Sequence, residues 1–163
     1  MRERTESSRH INDIHRRNQV TELTLEAAQK IATATLKTAR DKAFKPLAVV
    51  VYDARGALKA LLSEDGTSLK RAEIAMGKAY GALSLGVGSR ALHKMATDRP
   101  YFIASATHAV GGQLVPVPGG VLIKDAQGRT LGAVGVSGDT SDNDEIAAAG
   151  GIEAAGLVFD TGA

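Results

Sequence analysis

The chain contains no cysteine and no tryptophan. Without cysteine it has no disulfide, no thiolate nucleophile, no zinc knuckle and no iron–sulfur ligation. Aromatic residues are scarce, three Phe and three Tyr, which leaves no platform for stacking single-stranded nucleic acid. No apolar run approaches membrane-spanning length, and the polar N-terminus lacks the apolar core of a signal peptide. The expected compartment is therefore the cytoplasm, with no membrane partner. An excess of one charge is missing too. The net charge of +2 arises in residues 1–20, where Arg2, Arg4, Arg9, Arg16 and Arg17 face Glu3, Glu6 and Asp13, and the remaining fifteen basic and fifteen acidic side chains balance. A neutral body argues against nucleic acid as a partner.

What remains is an ordinary globular composition, 44% hydrophobic and 23% charged over 163 residues, enough chain for one domain with a real core. Residues 1–20, with His10 and His15, read as a polar tail, and residues 21–163 as a single domain. Thr24 is placed to cap a helix reaching about Ala43, whose Leu25, Ala28, Ile31, Ala32, Leu36 and Ala39 recur at three- and four-residue intervals. Pro46 ends that segment. Leu47 to Tyr52 and Ala57 to Leu62 form a hairpin around Asp53-Ala54-Arg55-Gly56. Thr67 or Ser68 caps a second helix over about 69–85, in which Gly77 and Gly81 mark close packing against another element or subunit. A short helix over Ser89–Thr97 stops at Asp98-Arg99-Pro100, and Tyr101 to Ala106 reads as a short strand. Thr107 to Gly120 is irregular, rich in Gly and Pro, the kind of long loop that is often functional. Val121–Lys124 and Thr130–Val136 make a second hairpin before a last helix that ends near Gly156. Hairpin turns imply antiparallel pairing, so the class is α+β.

One stretch organises the second half. Ala133 to Gly138 is a glycine-laced strand, and Ser141, followed by Asp142, Asp144 and Glu145, is a helix start with carboxylates at the positive end of its dipole. No Lys or Arg lies among Asp139, Asp142, Asp144 and Glu145, so phosphate is repelled, and neither a Walker loop nor a dinucleotide fingerprint is present. Helix capping is the first reading of these acids and cation binding the second, although their spacing does not fit a twelve-residue calcium loop and no metal ligand is assigned.

The ordered motifs resemble the GlcG/HbpS family, which includes the C-terminal domain of PduO-type proteins. The matching segments are Val50-Val51-Tyr52-Asp53 with Gly56, Asp65-Gly66-Thr67-Ser68, Ala75 through Lys78-Ala79-Tyr80, Gly111-Gly112 with Pro116, Gly119-Gly120-Val121, and Leu131 through Gly138 ending at Asp144-Glu145. The last departs from its commoner form at Asp139, where a second Gly is usual, and at Asn143, where a Gln is usual. The resemblance implies a profilin-like α+β fold with a five-stranded antiparallel sheet flanked by helices, assembly into homo-oligomers (a dimer or octamer), and a small-molecule ligand, with haem as the cofactor.

Haem requires an apolar slot, an axial donor and cations for its propionates. His108 is the preferred axial candidate and His93 the other. Tyr101, Gly111, Gly112 and a solvent-reaching Lys78 complete the cofactor-binding candidates, with Lys70, Arg71, Arg90 and Arg99 as further cations. The same parts support a rival reading, a cofactor-free isomerase, tautomerase or lyase acting on an oxo-acid. There His108 is the general acid or base, Arg99 binds a carboxylate, Asp139 orients His108, and the Gly111-Gly112 or Gly119-Gly120 backbone N–H groups hold an enolate oxygen. A hydrolase lacks support, because Gly135-Val136-Ser137-Gly138 does not have the nucleophile-elbow spacing. Both leading readings expect the Gly/Pro-rich segment around His108 to fold over a concavity beside the final hairpin.

Overall fold

The computed structural model describes residues 22–163; the N-terminal segment with His10 and His15 lies outside them. Ten elements follow one another: α1 (Leu25–Asp41), β1 (Ala48–Asp53), β2 (Leu58–Ser63), α2 (Arg71–Leu85), α3 (Ser89–Asp98), α4 (Pro100–Ala109), β3 (Gly120–Lys124), β4 (Thr130–Ser137), α5 (Ser141–Ala154) and β5 (Val158–Asp160). The strands form one antiparallel sheet in the order β2-β1-β4-β3-β5. This is the expected α+β architecture with five strands.

Helices cover both faces, which is why β1 reads as an apolar run from Ala48 to Tyr52 and is buried at every position, its terminal Asp53 included. Val49, Val51, Val121, Ile123, Val134 and Val136 pack with Ile31, Ala32, Ala147 and Ile152 of α1 and α5. The alternate residues Val50, Tyr52, Leu122 and Ala133 pack with Ala75, Ala79 and Ala82 of α2. A smaller cluster of Leu92, Ile103 and Leu114 joins α3 and α4 outside the main sandwich.

Glycine sets the height of α2 above the sheet. A Cβ on Gly135 would lie 1.9 Å from the Ala75 carbonyl oxygen, and one on Gly120 would lie 2.2 Å from that of Lys78. The helix backbone therefore rests directly on β3 and β4. On its outer side Gly77 and Gly81 receive Val115 and Leu114, and the Val115 N–H donates to the Gly77 carbonyl at 3.0 Å. The close packing expected of these two glycines is thus met by the Gly/Pro segment. That segment lies flat along α2 rather than over a concavity.

Boundaries differ from the sequence reading in four places. The cap of α1 is Thr24, as expected, its Oγ1 accepting the Ala27 N–H at 3.1 Å. The cap of α5, however, is Thr140 rather than Ser141, accepting the Asn143 N–H at 3.2 Å. Neither Thr67 nor Ser68 caps α2, which begins after Lys70 without a side-chain cap. Tyr101–Ala106 is helix, not strand: Pro100 stands in the first turn of α4, where its missing N–H costs nothing and its fixed φ suits the helix. Finally β5, only three residues long, pairs with β3 at the sheet's far edge, beyond where the sequence reading ended.

Candidate functional site

Two groups of residues concentrate the sequence candidates, one buried and one exposed. The buried group lies where α2, β4 and the start of α5 meet. Lys78 follows Ala75 by three residues and precedes Ala82 by four, which turns it toward the sheet, and its side chain is 2% exposed. Its Nζ donates to Asp144 Oδ2 at 2.8 Å and to the Val136 carbonyl at 2.9 Å. The other Asp144 oxygen accepts the Asp139 N–H at 3.0 Å. Burial pushes the Lys78 amine down and the Asp144 carboxyl up, and their mutual attraction opposes both shifts. Lys78 is therefore not the solvent-reaching cation expected; it is a fastener. Its signal was in the sequence all along, in its place on the stripe of buried alanines.

The other acids of this stretch are fasteners too. Asp139 Oδ2 accepts the Lys45 N–H at 2.6 Å, and its Oδ1 accepts from Thr140 N–H and Asn143 Nδ2. Arg90, on α3, bonds Glu145 at 2.9 Å and also reaches Asp142. The backbone N–H of Gly120 donates to Ser89 Oγ at 2.7 Å. Each carboxylate has a partner within the protein, and among the described residues no group of three or more His, Asp or Glu is placed to hold a metal ion. The cation reading of Asp139, Asp142, Asp144 and Glu145 gives way to this ion-paired joint.

The exposed group is α4. No Asp, Glu, Lys or Arg occurs between Arg99 and Lys124, yet most of α4 faces outward: Tyr101 is 74% exposed, Phe102 37%, and only Ile103 is buried. Tyr101, Ala104, Ser105 and His108 are all exposed and recur at the spacing that makes one stripe along a helix. The rise from Tyr101 to His108 is about 10 Å. The hydroxyls fold back onto the helix, Ser105 Oγ donating to the Tyr101 carbonyl at 3.0 Å and Thr107 Oγ1 to that of Ile103 at 2.7 Å. This leaves a face mostly of carbon with an imidazole at one end and a phenol at the other. Arg99 stands at the N-terminal end, its guanidinium 5.1 Å from the Phe102 ring centroid. His93 is exposed on the neighbouring α3.

The proton-transfer constellation does not assemble. His108 lies in the last turn of a helix rather than on a loop, while Asp139 is held by Lys45, Thr140 and Asn143. Three of the four glycine N–H groups assigned to an enolate oxygen are used internally: Gly111 donates to the His108 carbonyl at 3.0 Å, Gly112 to that of Thr107 at 2.8 Å, and Gly120 to Ser89 Oγ. With φ of 75° and 84°, Gly111 and Gly112 stop α4 in a left-handed turn. Surface grooves occur elsewhere, one of about 430 Å³ beside Arg40, Pro46 and Glu64 and one of about 190 Å³ beside Asp53, Arg55 and Leu131; neither includes His108, Arg99 or Tyr101.

Among the described residues no helix is long and apolar enough to cross a membrane. No match is found among curated proteins. The chain is similar to several solved structures. HbpS shares 30% identity with a TM-score of 0.69, over 82% of this chain and 90% of that one. Protein ORFY of Klebsiella pneumoniae shares 26% with a TM-score of 0.73, over 85% and 94%. A PduOC:Heme complex shares the fold at 21% identity, with a TM-score of 0.74 over 84% and 97%. Residues 23–153 match the family model described as haem degrading protein HbpS-like, a span that runs from the entry to α1 almost to the end of α5. The chain belongs to the HbpS-like family.

Proposed function

We propose that this protein binds haem or a related tetrapyrrole, as a homo-oligomer, on the uncharged outer face of α4. The observation that carries the reading is the exposure of a charge-free helix whose Tyr101 and His108 share one stripe. A soluble surface normally mixes charges; a face without them, next to a family description that mentions haem and a similar fold solved with heme, fits a flat apolar ligand. The donor set fits the group. His108 supplies the imidazole and Tyr101 a phenolate as candidate iron donors, Ala104 and Phe102 supply carbon surface, and Arg99 stands where a propionate would be met. Haem bound there would supply redox or ligand-binding chemistry; the chain's own residues orient it and neutralise its carboxylates.

Titration of the full chain with hemin is expected to give a sharp, shifted Soret band that saturates at a defined stoichiometry. His108→Ala weakens that binding at least tenfold, while its circular dichroism stays that of the wild type. A wild type that shows only the broad spectrum of free hemin contradicts the reading.

A further inference from the structure

Strand β2 is the outermost strand of the sheet, and among the described residues nothing pairs with its open side. It reads Leu58-Lys59-Ala60-Leu61-Leu62-Ser63, with no proline and a single charge. Leu58 is 50% exposed, and Leu61 and Leu62 are each 38% exposed. Apolar edges are templates for another strand, and proteins blunt them with lysines and bulges; β2 carries both at its first end, Lys59 and the register break beside it, and its remaining residues are apolar up to Ser63.

The ladder to β1 shows which backbone groups are available. Its register pairs Val49 with Leu62, Val50 with Leu61 and Val51 with Ala60, and the Glu64 N–H donates to the Leu47 carbonyl at 3.0 Å. Bonded and non-bonded pairs alternate in an antiparallel ladder. Counting from the bonded Leu47/Glu64 pair, Leu62 and Ala60 bond inward to β1, and Leu61 and Ser63 turn their N–H and C=O to the open edge. The register breaks between Val51 and Tyr52, so the regular edge runs from Ala60 to Ser63.

We infer that β2 pairs antiparallel with β2 of a second copy, about a two-fold axis through Leu61, joining the two sheets edge to edge. A two-fold axis relating side-by-side antiparallel strands stands perpendicular to the sheet, so like faces stay together and the axis must pass through a residue facing its own counterpart. With Leu61 on the axis, its outward N–H and C=O exchange two hydrogen bonds with the same groups of the second copy. The Leu61 side chains meet on the face that carries α2, and Leu62 meets Ala60 on the face that carries α1. Centring on Ala60 instead runs the pairing into the register break at Lys59, and centring on Leu62 sets Leu61 against Ser63; only the Leu61 centre gives apolar partners on both faces within the regular edge.

The absence of cysteine makes the test direct. Leu61→Cys introduces the only thiol in the chain, and a directly opposed bonded pair has a Cα separation of about 5.5 Å, within disulfide range. Mild oxidation of the full chain at micromolar concentration is expected to convert Leu61→Cys to a covalent dimer on a denaturing gel. Ser63→Cys, whose counterpart lies about 13 Å away along the strand, is expected to remain uncrosslinked. Leu61→Lys, which sets two cations on the axis, lowers the mass measured by light scattering by a factor of two or more without altering the circular dichroism. A monomeric wild type, equal crosslinking of the two cysteine variants, or a Leu61→Lys mass equal to wild type overturns the inference. None of these readouts depends on a ligand.

Discussion

Lys78 shows at the scale of one residue how a buried charge can be structural. Its partner Asp144 lies 2.8 Å away and both side chains are 2% exposed. Such a pair is held at the expense of two desolvations, so the pair itself adds little, while breaking it strands a charge. Lys78→Ala is accordingly expected to lower stability by about 3–5 kcal/mol, read as a shift in urea midpoint, and Lys78→Met combined with Asp144→Leu to recover most of the loss. A single variant as stable as the wild type contradicts the fastener role. Asp139 gives a pH prediction. The backbone N–H of Lys45, then that of Thr140, holds its carboxyl below the ordinary aspartate range. Its contribution is therefore fully present above about pH 4 and is lost as pH falls through the depressed folded value. Asp139→Asn should reduce stability at pH 6 and flatten its decline in acid; an unchanged acid limb contradicts this. Residue types alone did not reveal these roles. The acids of this stretch were legible as a helix start, but their partners come from α2, α3 and the strand entry, tens of residues away in sequence.

Packing at the scale of elements turns on where α2 touches the sheet. Gly135→Ala would place a methyl group 1.9 Å from a backbone oxygen, which cannot move without lifting the helix. The expected loss is at least about 2 kcal/mol. Gly77→Ala meets Val115 Cγ2 at 2.5 Å, the end of a side chain on a loop that can shift, and should cost less. Thermal melts of the two variants test this order, and a smaller loss for Gly135→Ala contradicts it. Hairpins, capped helices and the glycine contacts of α2 were legible because period and turn chemistry agree there. Helix α4 was not. Tyr101-Phe102-Ile103 has the composition of a strand, and Pro100 reads equally as a stop for α3 or a start for the next helix. Tertiary contact through Ile103 with Leu92 and Leu114 decides for the helix. Strand β5 escaped notice because three residues carry no period.

The whole molecule separates its tasks. Helices α1 and α5 on one face and the glycine-seated α2 on the other enclose the sheet, and ion pairs close the seam at the start of α5. Carried outside that frame, α3 and α4 are free to present a surface that the core does not need. That surface is uncharged over a stretch bounded by Arg99 and Lys124, and the account stands on its being where ligand binds. The most direct test is a hemin titration of three full-length proteins: wild type, Ala104→Glu in the middle of the α4 stripe, and Thr33→Glu on the exposed face of α1. The account predicts a saturable Soret shift for wild type and Thr33→Glu, and a loss of at least tenfold in affinity for Ala104→Glu with its melting temperature unchanged. Equal affinity in all three would place the ligand elsewhere and contradict the account.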